Sequence, residues 1–119
     1  VSFTTGVDVG KVMNPRHLKS NMEGGTVMGL GEALFEEVTF DQSKITSTDW
    51  TKYRIPAMGD VPEVKTVFTS RNDRGINGGG EAANTVSANA VAAAFFDATG
   101  VQPRRVPLTP AYVKSILKA

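Results

Sequence analysis

The sequence predicts an α+β domain in which helices pack against a mixed or antiparallel sheet. Three observations lead there. Alternating, β-branched stretches mark strands near both ends of the first 70 residues. Asn14-Pro15 and Thr109-Pro110 carry the signature of helix starts, a capping side chain followed by a proline whose missing N–H costs nothing there. The strands fall in a run between helices, in the order β-α-β-β-β-α-α, instead of alternating strictly with them.

Val1–Val9 reads as a strand, with apolar residues at 1, 3, 7 and 9 matching a period of two. Gly10 to Met13 turns away, and Asn14 caps a helix that runs from Pro15 to about 36. Leu18, Met22, Gly25, Gly29 and Ala33 share one face of that helix, flanked by Leu30 and Leu34. Four glycines (24, 25, 29 and 31) lie inside it. Each costs about 1 kcal/mol relative to alanine at an exposed helical position, so something must approach their face closely, either another backbone or a cofactor.

Residues 37–40 and 45–50 look like a hairpin joined around Asp41-Gln42-Ser43, with 51–55 extending its second strand. A proline-bounded loop, 56–62, leads to a strand at 63–70. A polar, glycine-rich loop follows. The next helix starts between Glu81 and Ser87, where Asn84, Thr85 and Ser87 are all capable caps, and Gly100 ends it in the C′ position. Ala83, Val86, Ala90, Val91, Ala94 and Phe95 give this helix a broad apolar face. A short extended piece at 104–108 precedes a last helix at 109–118.

The totals exclude several classes. The chain has 119 residues, enough for one small domain with a core. A net charge of +1 with no basic–aromatic stripe argues against nucleic acid. The absence of cysteine removes disulfides, iron–sulfur ligation and thiolate zinc sites. His17 is the single histidine, without a second to share a metal. No apolar run reaches the roughly 18 residues of a membrane helix. A first residue of Val1 suggests a piece of something longer.

The stretch of most chemical interest is Gly75–Gly100, which opens with four glycines in six residues and then places Glu81. A glycine-rich loop entering a helix lets a ligand approach the main chain and presents unpaired N–H groups. The carboxylate either complements the helix dipole or is a catalytic group held at a cleft, and spacing alone leaves both open.

Five segments, taken together, resemble the C-terminal part of the molybdenum-binding large subunit of the xanthine dehydrogenase and aldehyde oxidase family, in particular its isoquinoline oxidoreductase and aldehyde dehydrogenase-like branch. They are VDVGKVMNP (7–15), NMEGGTVMGLGEALFEEVTF (21–40), YRIPAMGDVPEV (53–64), GGGEAANTVSANAVAAAFFDATG (78–100) and RRVPLTP (104–110). Each is weak alone; the ordered set covers nearly the whole chain.

The resemblance implies that Glu81 is the catalytic base of a hydroxylase acting on an aldehyde or N-heterocycle with water as oxygen source. It implies that Gly79 and Gly80 belong to the cofactor-binding motif. It implies a pterin contact at Asn21, where the family carries a glutamine one methylene longer. A second departure is Ala82-Ala83 in place of the Pro-Pro of many members, which leaves the loop after Glu81 less stiff.

It further implies that 1–119 is a single domain from a larger subunit. Its partners would be the remainder of that subunit and an iron–sulfur small subunit. A molybdopterin-type cofactor would bind in the intact enzyme, and the isolated chain is expected to hold none and to be inactive. An apolar face left by the missing domains would favour self-association. The alternative is a stand-alone, non-catalytic binding or assembly module derived from the same domain.

Overall fold

The computed structural model describes residues 1–118. Strand β1 (Ser2–Asp8) leads into helix α1 (Pro15–Leu34). Two short strands follow, β2 (Phe40–Asp41) and β3 (Lys44–Ile45), then a 3₁₀ turn at Met58–Asp60 and strand β4 (Glu63–Thr69). Helices α2 (Ala82–Thr99) and α3 (Pro110–Leu117) complete the chain. The α+β class holds.

The strands form two separate sheets. β1 pairs in parallel with β4, Thr5 opposite Thr66 and Val7 opposite Phe68. A parallel pair needs a long crossover, and α1 provides it. β2 and β3 form a two-residue antiparallel hairpin apart from that sheet.

The caps form as the sequence requires. Asn14 Oδ1 accepts the His17 N–H at 2.9 Å, and Thr109 Oγ1 accepts that of Tyr112. Gly100 ends α2 with φ +72°, its N–H bonded to the Phe96 carbonyl at 2.7 Å. Replacing Asn14 by alanine strands one amide of the first turn. The expected loss is about 1 kcal/mol in a denaturant titration.

Alternation decides the faces of the parallel pair. Phe3, Thr5, Val7 and Val9 turn toward the helices with Val64, Thr66 and Phe68, while Ser2, Thr4, Gly6, Asp8, Glu63, Lys65 and Thr69 face outward and are exposed. Val9, Leu18, Met22 and Ala83 make the core, with Val7, Val12 and Phe68 packed around it. Three buried hydroxyls are satisfied internally: Thr26 bonds Thr5 and the Met22 carbonyl, each at 2.8 Å, and Ser87 bonds the Ala83 carbonyl at 2.7 Å; the shielded Thr66 hydroxyl has no partner among the described residues.

The glycine face of α1 meets another backbone. A Cβ on Gly29 would lie 2.6 Å from Ser87 Cβ and 2.7 Å from the Asn84 carbonyl oxygen; one on Gly25 would lie 3.3 Å from Ala83 Cβ. Gly25 and Gly29 thus interlock with Ala83 and Ser87, and the two helices cross at a small-residue seam.

Three expectations need correction. The second hairpin strand stops at Ile45 instead of reaching 50 or 55. Residues 53–62 instead form an irregular strap along the end of α1. Tyr53 donates to Glu36 Oε2 at 2.7 Å, which raises the phenol pKa, and the Arg54 guanidinium stacks 4.0 Å over Phe35. Arg54 Nη2 also donates to both carboxylate oxygens of Asp60, whose pKa is held below its ordinary value first by the Ala57 N–H and then by Arg54. Helix α2 starts at Ala82 without using Asn84, Thr85 or Ser87 as its cap. Of the apolar face read on α2, only Ala83 is buried; Val86 is 51% exposed.

Candidate functional site

The loop carrying Glu81 is fixed at both ends. At one end Gly10, at φ +72°, lies against Gly75, where a side chain would strike the Gly75 carbonyl. The Lys11 N–H donates to that carbonyl, Asn77 N–H donates to the Val9 carbonyl at 3.0 Å, and Arg71 N–H to the Gly10 carbonyl at 2.9 Å. At the other end α2 is locked into the glycine seam of α1. Between these anchors Gly79 rests on the core, where a Cβ would come 2.8 Å from Leu18 Cδ1 and 3.2 Å from Val9 Cγ1. Around Gly78 and Gly80 nothing lies within 4 Å of a built Cβ, so their main chain is open to a ligand.

Glu81 is the N-cap residue of α2, yet its side chain makes no capping bond. It is exposed, and no ion pair or hydrogen bond engages its carboxylate among the described residues. An acid serving as a capping side chain would bond the free amides beside it; Glu81 can act on the helix dipole only through space.

Glu81 lines a cleft of about 250 Å³ together with Gly24, Gly25, Gly80, Asn21, Met28 and Asn84. A second cavity of about 200 Å³ adjoins it, lined by Asn21, Gly79, Gly80, Asn77 and Lys11. Asn21 and Gly80 belong to both. The fold therefore gathers Asn21, Gly80 and Glu81 from two segments sixty positions apart. Gly79 borders only the second cavity.

Chemically this is a carboxylate, exposed main-chain amides and a carboxamide around glycines that hold no bulk. Such a set suits a large polar group needing hydrogen bonds along its edge. No three His, Asp or Glu side chains cluster to hold a metal among the described residues.

Sequence reasoning missed Ser20, Gly24, Met28 and Asn84. The helical period contains the signal: Gly24 and Met28 share the face of Asn21, and Asn84 sits one turn after Glu81. The Asn84 oxygen is shielded without a partner among the described residues, and its Nδ2 donates to Glu32 Oε1 at 3.4 Å.

Comparison with known proteins places the chain. Residues 1–62 match the family described as a molybdopterin cofactor-binding domain. The chain is 32% identical to a nicotinate dehydrogenase subunit of Pseudomonas putida over 94% of its own length, and spans 9% of that protein. Among solved structures it superposes on quinoline 2-oxidoreductase from Pseudomonas putida 86 with a TM-score of 0.87 and 27% identity, covering 97% of this chain and 16% of that one. On the aldehyde oxidoreductase of Desulfovibrio gigas the TM-score is 0.84 at 30% identity, covering 98% of this chain and 13% of the other.

Proposed function

The chain belongs to the molybdopterin cofactor-binding domain family of xanthine dehydrogenase- and aldehyde oxidase-type enzymes, and from that premise we propose that it is the wall carrying the catalytic base in the large subunit of a molybdenum hydroxylase. The observation that carries the reading is the uncommitted Glu81 carboxylate lining one cleft with Asn21 and three glycines.

The intact enzyme exchanges a carbon–hydrogen bond of an aldehyde or N-heterocycle for a carbon–hydroxyl bond. Water supplies the oxygen, and two protons and two electrons leave. When bound, the molybdopterin-type cofactor supplies the electron-accepting chemistry. Glu81 takes the proton from the attacking oxygen, since a carboxylate is a general base of short reach. Asn21 hydrogen-bonds the cofactor edge through its carboxamide, and the main chain at Gly79 and Gly80 lets the cofactor come close. Electrons leave through an iron–sulfur subunit. The rest of the large subunit supplies the opposite wall and the groups that select the substrate, so the 119-residue chain alone does not turn over.

The experiment that tests the reading is Glu81→Gln in the complete subunit, with turnover and molybdenum content measured together. A companion exchange probes the cofactor contact. Losing one hydrogen bond is worth about 0.5–1.5 kcal/mol, so Asn21→Ala should weaken cofactor retention roughly 2- to 10-fold. Asn21→Gln should retain it. Molybdenum content after dialysis reads this directly, and equal retention in Asn21→Ala would remove Asn21 from the site.

A further inference from the structure

The two layers of the fold differ in width. Packed helices lie about 8–10 Å apart and strands about 4.8 Å apart. Two helices therefore cover roughly twice the breadth that two strands do. α1 packs over both β1 and β4, whereas α2 packs over β1. The uncovered part of the helix layer thus lies beyond β1, on the side away from β4.

That overhang is apolar. Every residue from Ala90 to Phe96 is apolar, and Asp97 is the only charged residue of α2. Phe96 is 46% exposed. A helix apolar around its whole circumference is a buried helix. Where β1 and β4 both begin, a cavity of about 620 Å³ opens, lined by Phe3, Leu34, Val91 and Ala94 together with residues 59–63 of the strap and β4.

The strand edges differ as well. β4 carries Glu63 and Lys65, an exposed charged pair of the kind that guards a terminal strand. β1 has no charged residue before Asp8, and between Ser2 and Asp8 its backbone bonds only to β4 among the described residues. A two-stranded parallel sheet is too little to stand alone.

We propose that the free edge of β1 receives an extended segment from elsewhere in the same molybdenum-binding subunit, which continues the sheet beneath α2. This rests on the reading of the chain as part of a large subunit. The supply of polypeptide is ample, because the chain spans 9% of its nicotinate dehydrogenase relative. A second copy of this chain fits badly. Edge-to-edge pairing of two β1 strands about a two-fold axis keeps both helix layers on one face, so the two α2 overhangs would meet over the junction.

Two measurements on the complete subunit decide it. Residue-resolved hydrogen exchange should show successive amides of β1 all slow, and those of β4 alternating between slow and fast. The added bonds should slow the outer β1 amides on the order of tenfold or more. Alternation in β1 like that in β4 would overturn the proposal. A photo-crosslinker at Ser2 should join a peptide of the same polypeptide outside these 119 residues; a crosslink to a second copy or to another subunit would overturn it. Neither readout depends on turnover, so loss of the base assignment at Glu81 would leave this result standing, and the reverse.

Discussion

Glu81→Gln in the complete subunit is expected to lower turnover by about 10²–10⁴-fold, the usual worth of a general base. The fold should be unaffected, because the carboxylate makes no capping bond to α2 and glutamine fills the same volume. Molybdenum content should match the wild type, since the amide keeps the hydrogen-bonding ability of the side chain and removes only its basicity. The loss belongs in kcat, because substrate and cofactor still bind. Glu81→Asp keeps the base and withdraws it by one methylene, so it should fall between the two. A Glu81→Gln enzyme within about threefold of wild type, well short of that range, would return Glu81 to the role of a helix-terminus charge.

Gly29→Ala is expected to destabilise the chain although alanine is the better helix former. The added methyl meets Ser87 Cβ at 2.6 Å and the Asn84 carbonyl oxygen at 2.7 Å. The second of these is main chain, so α2 as a whole must move. Overpacking of this kind costs about 1–3 kcal/mol, which outweighs the gain in helix propensity of roughly 1 kcal/mol. Gly24→Ala is the control: nothing lies within 4 Å of a Cβ there, and it should stabilise by up to about 1 kcal/mol. Urea titrations of both variants give the comparison. If Gly29→Ala were as stable as Gly24→Ala, the seam would not be holding the helices. In the complete subunit Gly29→Ala should also lower turnover, because moving α2 moves Glu81 relative to Asn21.

How much of this was legible in the sequence depends on how local the cause is. Asn14, Thr109 and Gly100 act within one helical turn, and their roles could be read directly. The buried stripe Leu18, Met22, Gly25, Gly29 and Ala33 followed from the helical period. What approaches the glycines was not legible, because backbone and cofactor ask for the same missing Cβ; the structure answers with α2 at Gly25 and Gly29 and with Glu36 and Pro56 at Gly31.

Residues 45–55 read as strand because they are β-branched and aromatic. Their path is set instead by partners far along the chain, Tyr53 on Glu36 and Arg54 on Phe35. The parallel register of β1 and β4 has no local signature at all. At the site, the glycine run and the matching segments pointed to Asn21, Gly79, Gly80 and Glu81. The remaining lining, such as Met28 and Asn84, carries no motif and appears only once the two helices are crossed.

The parallel pairing also sets an order of events in time. Thr5 and its register partner Thr66 stand sixty-one positions apart, and so nearly do Asn21 and Glu81. Chains emerge at about 5–20 residues per second, so β1 and the Asn21 side of the cleft wait roughly 3–12 s for the rest to be made. Closing so long a loop is slow and entropically unfavourable until contacts form. Helix α1 can form early from its own cap and periodicity, whereas the sheet and the Glu81 loop clamped to Gly10 come late. The cleft therefore cannot exist before Glu81 has been made, and whatever cofactor it receives must be delivered after both of its sides are in place.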